Sequence, residues 1–151
     1  MSEHHASVRW TRASSDFTYE GYNRAHTVTF KNGAVALPGS AAPAFRGEPD
    51  RVDPEEAFVA SLSACHMLTF LAICARKRLT VDAYEDDAVG HLEKDANGKL
   101  WVSRVTLHPR ISFAPGTSPS AAQLSEIHHL SHDECFIANS VRTDVSVEPH
   151  P

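Results

Sequence analysis

The side chains with the most chemistry to offer are three cysteines, Cys65, Cys74 and Cys135, and ten histidines. Three thiols are too few, and odd in number, for the disulfide framework of a secreted scaffold, so reduced cysteines and a cytoplasmic setting are expected. Cys65 lies in Ser63-Ala64-Cys65-His66-Met67, midway along an apolar run, and Cys135 in His132-Asp133-Glu134-Cys135-Phe136-Ile137. Two uses compete at each. A free cysteine is among the most buried residue types and often does no more than fill space. Its thiolate, in contrast, is a nucleophile and a metal ligand. Cys74 follows Cys65 by nine residues and faces the other side of a helix holding both, at about 100° per residue, so it is read as packing.

The histidines open a metal reading. His128, His132 and Cys135 are spaced i, i+4, i+7, which would set three zinc-type ligands along one helix face, with Cys65 or His66 as a fourth. Against it, no Cys-x-x-Cys pair is present, and apolar Phe136-Ile137 follows Cys135 where a helix should have ended. No metal and no other cofactor is expected.

The elements that must hold these residues are legible in part. Asp53-Pro54-Glu55-Glu56 opens a helix: Asp53 as N-cap, Pro54 where its missing N–H does no harm, Glu56 at capping-box spacing. It should run to about Arg78, with Arg76, Lys77 and Arg78 suiting its negative C-terminal end. Because it is apolar on nearly every side, the reading predicts a helix buried all round, which a 151-residue chain achieves with a partner subunit. Upstream, a short strand is expected over 7–12. Thr27–Phe30 and Ala34–Leu37 form a hairpin through Lys31-Asn32-Gly33. Pro38 to Asp53 reads as loop. Downstream, Leu100–Phe113 alternates, with Trp101, Val105, Leu107, Ile111 and Phe113 on one face and Pro109 marking an edge or bulge. A second helix from near Thr117 to Leu130 and a strand over Val141–Val147 complete the order. The expected fold is α+β, with antiparallel sheets around a central buried helix, as one domain over 1–151.

The stretch Pro54-Glu55-Glu56-Ala57-Phe58-Val59-Ala60-Ser61-Leu62-Ser63-Ala64-Cys65 resembles the first cysteine helix of the OsmC/Ohr family, the osmotically inducible and organic-hydroperoxide-resistance proteins. His132-Asp133-Glu134-Cys135-Phe136-Ile137-Ala138-Asn139-Ser140-Val141 is similar to that family's second cysteine segment, and Tyr22-Asn23-Arg24-Ala25-His26 to the stretch that supplies its arginine. Phe136 departs from the Pro that follows the second cysteine in several relatives. The resemblance implies an intertwined homodimer with active sites at the subunit interface and a metal-free peroxidase that reduces organic hydroperoxides. Carried over by position, it makes Cys65 the peroxidatic thiol, Cys135 the resolving thiol, Arg24 the activating cation and Glu55 its carboxylate partner, with a lipoyl-type dithiol as reductant. Taken alone, Glu55 reads as a first-turn residue complementing the helix dipole and Arg24 as a surface residue in a turn. An apolar pocket lined by residues such as Phe58, Met67 and Leu68 would favour alkyl over hydrogen peroxide.

Other classes are excluded or kept as rivals. With 14 Lys+Arg against 19 Asp+Glu and no basic run, the chain is a poor partner for nucleic acid. The apolar stretch Phe58–Ala75 is interrupted by Ser61, Ser63, His66 and Thr69 and is short for a membrane span, and the polar N-terminal residues do not read as a signal peptide. Two rivals remain: a non-enzymatic redox sensor or apolar-ligand-binding protein, and a His/Cys metal-binding module.

Overall fold

Asp53 starts the central helix as its sequence predicts. The Glu56 amide donates to Asp53 Oδ1 at 2.8 Å and the Asp53 amide to Glu56 Oε2 at 3.0 Å, a reciprocal cap on α1 (Pro54–Arg76). The computed structural model describes residues 1–150. These residues form two compact units, one up to Ala57 and one from Phe58 on, with α1 opening at the end of the first.

The first unit is a three-stranded antiparallel meander of β1 (Ala6–Arg9), β2 (His26–Phe30) and β3 (Val35–Gly39), in the order β1-β2-β3. The expected hairpin forms, with Val28 opposite Val8 on one side and Leu37 on the other. Its turn needs left-handed backbone at Lys31, Asn32 and Gly33, with φ of 51°, 54° and 91°, which Asn and Gly accept most readily.

In the second unit α1 is followed by β4 (Val81–Asp86), β5 (Val89–Lys94), β6 (Leu100–Leu107), β7 (Pro109–Phe113), α2 (Ala121–Asp133) and β8 (Asp144–Val147). β4 pairs with β7 antiparallel, and β6 lies between β5 and β8, antiparallel to β5 and parallel to β8. The alternating run read as one strand is therefore two strands in different sheets. The break falls at His108-Pro109: the His108 amide donates to Asp86 Oδ1 at 2.6 Å instead of a ladder partner, and Pro109 has no N–H to donate. Asp86 also accepts from the Ser63 hydroxyl, tying α1 to this crossing. β4 and β5 were not separately legible, and the parallel β6–β8 pair departs from the all-antiparallel expectation.

α2 starts at Ser120, slightly later than expected, with a second capping box: the Gln123 amide donates to Ser120 Oγ at 3.2 Å, and the Ser120 amide to Gln123 Oε1 at 2.9 Å. Two core clusters hold α1. Phe70, Ile73 and Cys74 pack with Ile127 of α2, flanked by Leu79, Tyr84, Ile111 and Leu124. Leu62 packs with Val105 and Leu107 of β6, flanked by Phe58, Ile137, Val141 and Val145. The burial expected all round α1 is thus confined in the single chain to one stripe, Leu62, His66, Phe70, Ile73 and Cys74. Ala60, Ala64, Leu68, Ala72 and Ala75, on the other face, are exposed, Leu68 at 63%.

Candidate active site

Cys65 sits at the border between the two faces of α1 and is half-buried; Cys135 lies just past α2 and is buried. The structure brings them close enough for Cys65 to perturb the Cys135 thiol. Cys135 Sγ accepts from the Ala138 amide at 3.4 Å. Burial first, and then the neighbouring Cys65, push the Cys135 thiol up to about 11. At neutral pH Cys135 is a thiol. Cys74 is fully buried in the helix–helix cluster, where desolvation raises its pKa, in keeping with the packing role read from its spacing.

Beside the thiols lies a polar contact that the sequence did not single out as a unit. His66 Nε2 and His128 Nδ1 are 3.1 Å apart in the interior. The ring planes are 8° from parallel with centroids 5.4 Å apart, and the Phe70 ring centroid lies 4.7 Å from that of His128. Desolvation is the main cause that lowers both rings to about 4, so each is neutral at pH 7. In the sequence His128 shows only as the first of His128, His132 and Cys135 at i, i+4 and i+7, a spacing weighed as a ligand set and set aside. Among the described residues, however, no group of three or more His, Cys, Asp and Glu side chains is placed to hold a metal ion.

Arg24 belongs to the first unit and is 7% exposed, so it is not the surface residue its local sequence suggests. Its guanidinium lies 3.7 Å from the centre of the Tyr22 ring and 5.1 Å from that of Tyr19, and donates to the carbonyls of both residues. Nε is buried without a partner. Glu55, half-buried in the first turn of α1, forms no ion pair with Arg24 in the single chain among the described residues. Phe58 lines a shallow apolar pocket of about 290 Å³ with Trp101, Val102, Val141, Arg142 and Thr143; Met67 and Leu68 do not contribute to it.

An α+β chain whose antiparallel sheets pack against a central helix is the fold that OsmC-like and organic hydroperoxide resistance proteins share. A sequence profile described as OsmC-like protein matches residues 47–150, and the chain belongs to that family. An OsmC-like protein of unknown function from Vibrio cholerae is 47% identical over 99% of this chain and 100% of its own, with a TM-score of 0.94. Two organic hydroperoxide resistance proteins share the fold at lower identity. That from Elizabethkingia anophelis is 17% identical, with a TM-score of 0.70 over 98% of this chain and 95% of its own. OhrB of Bacillus subtilis is 19% identical, with a TM-score of 0.69 over 97% and 98%. No curated protein matches the sequence significantly.

Proposed function

We propose that this protein is a thiol-dependent peroxidase that reduces organic hydroperoxides through a two-cysteine cycle. The observation that carries the reading is the closeness of Cys65 and Cys135, with burial and the neighbouring Cys65 holding the Cys135 thiol well above its usual pKa. With its pKa raised to about 11, Cys135 is a thiol at pH 7, and the reading gives the first oxidation to Cys65. The Cys65 thiolate attacks the hydroperoxide, the O–O bond breaks, the alkoxide leaves as the alcohol after taking a proton, and Cys65 becomes a sulfenic acid. That oxidation removes the negative charge that helped keep Cys135 protonated. Cys135 then attacks the Cys65 sulfur. The S–S bond forms as the S–O bond breaks, and hydroxide departs as water with the Cys135 proton. Two exchange steps with an external dithiol of the lipoyl type restore both thiols and leave that dithiol oxidised.

In this reading Arg24 supplies the cation that favours the Cys65 thiolate, and Glu55 the countercharge. A guanidinium held only by rings and neutral carbonyls, with a buried Nε still free to donate, suits that task. The working unit is a homodimer, supported by the apolar face of α1 that the single chain leaves exposed. The two cysteine variants test the roles. Cys65→Ser should consume no hydroperoxide. Cys135→Ser should reduce one equivalent and then pass from sulfenic to sulfinic acid under excess. Reversal of these phenotypes exchanges the roles; parental behaviour in both ends the thiol mechanism.

A further inference from the structure

We propose that His66 and His128 are positioning residues for the thiol pair, their hydrogen bond setting the register between α1 and α2 that holds Cys135 against Cys65. The inference rests on the thiol cycle for its kinetic consequence, though not for its equilibrium one.

The argument begins with placement. His66 follows Cys65 directly on α1, and His128 lies on α2, which ends at Asp133 two residues before Cys135, so the bond joins the two helices that deliver the thiols. His66 and His128 are 1% and 5% exposed. Phe70 packs on His128, and the two helices also meet through Ile73, Cys74 and Ile127. Four apolar side chains pack nearly as well after a small slide. A single N–H···N bond inside that contact does not, because a displaced ring would leave His66 Nε2 and His128 Nδ1 unpaired in addition to His128 Nε2, which is buried without a partner among the described residues.

The tolerance of the thiol chemistry is correspondingly narrow. A disulfide needs Cβ atoms about 3.5–4.5 Å apart, whereas a slip of one residue along a helix moves a side chain by about 1.5 Å. The resolving step makes an S–S bond between Cys65 and Cys135, breaks the Cys65 S–O bond and releases water. Any slip delays it and leaves the sulfenic acid open to a second peroxide. The stack with Phe70 holds the His128 ring plane, and neutrality at pH 7 keeps the link a plain one-donor, one-acceptor bond.

The atoms involved define a test that packing alone does not satisfy. His66 uses Nε2, which a glutamine amide reproduces, and His128 uses Nδ1, which an asparagine amide reproduces. The full-length protein is prepared as parent, H66Q/H128N and H66L/H128L, with H128L alone as the milder variant should the double leucine form not fold. Each is brought to equilibrium in dithiothreitol redox buffers, and the Cys65–Cys135 disulfide is quantified by peptide mapping. Each is also treated with excess cumene hydroperoxide and the ratio of sulfinic acid to disulfide measured. The leucine variants should lower the equilibrium constant for disulfide formation at least ten-fold and raise the sulfinic fraction, while H66Q/H128N stays within about three-fold of the parent. Leucine variants equal to the parent, or an amide pair as impaired as the leucine pair, overturn the proposal. A parent that forms the disulfide in redox buffer but not with hydroperoxide overturns the peroxidase reading instead, and the equilibrium comparison still decides the role of the histidines.

Discussion

Acidification should destabilise this protein through two histidines, and the size of the effect follows from their burial. His66 and His128 each titrate near 6.5 when unfolded and at about 4 when folded. Between those values the unfolded chain binds protons that the folded chain refuses, so stability is fully present above about pH 6.5 and declines as pH falls toward 4. For one such group, moving from pH 7.5 to 5 removes about 2 kcal/mol, and for the two together about 4 kcal/mol. That is a large share of a typical domain stability of about 5–15 kcal/mol. The assay is urea unfolding at several pH values between 7.5 and 5, at one fixed protein concentration so that association does not enter the comparison. H66L/H128L lacks both groups, so its stability should change over this range by about 4 kcal/mol less than the parent's. Equal losses in parent and variant would refute the claim that these rings are buried and neutral.

Three further outcomes are expected. Arg24→Ala should lower kcat/KM for cumene hydroperoxide by about 10²–10³ and shift the pH profile of Cys65 alkylation upward; an unchanged rate and profile would remove Arg24 from the mechanism. Asp86→Ala should cost about 1–3 kcal/mol in chemical denaturation, because the His108 amide and the Ser63 hydroxyl lose their shared acceptor. Sedimentation at micromolar concentration should find a dimer, and a folded monomer there would leave the exposed face of α1 without its proposed partner.

The sequence disclosed most where local chemistry decides structure. Asp53, Pro54 and Glu56 marked the start of α1, and Asn32-Gly33 marked the hairpin, because caps and left-handed turns are written in single residues. Leu100–Phe113 misled because alternation continues through His108-Pro109, while the change of sheet depends on Asp86, a residue more than twenty positions away. β8 lies parallel to β6 through a long connection that leaves no local trace. In the candidate site, Cys65 and Cys135 were legible from the contexts of their two segments. The His66–His128 bond was not, since it joins residues 62 positions apart and shows only as histidines at helical spacing. The burial of Arg24 was hidden for a similar reason, as it comes from a loop folding Tyr19 and Tyr22 around the guanidinium.

The central claim is that Cys65 and Cys135 are two halves of one redox centre. One equivalent of cumene hydroperoxide added to the reduced protein, followed by blocking of free thiols and mass spectrometry of the peptides, tests it most directly. The account predicts a protein lighter by two hydrogens, with Cys65 and Cys135 joined and Cys74 recovered as the blocked thiol. An unaltered mass, or a product in which Cys74 replaces either partner, would contradict it.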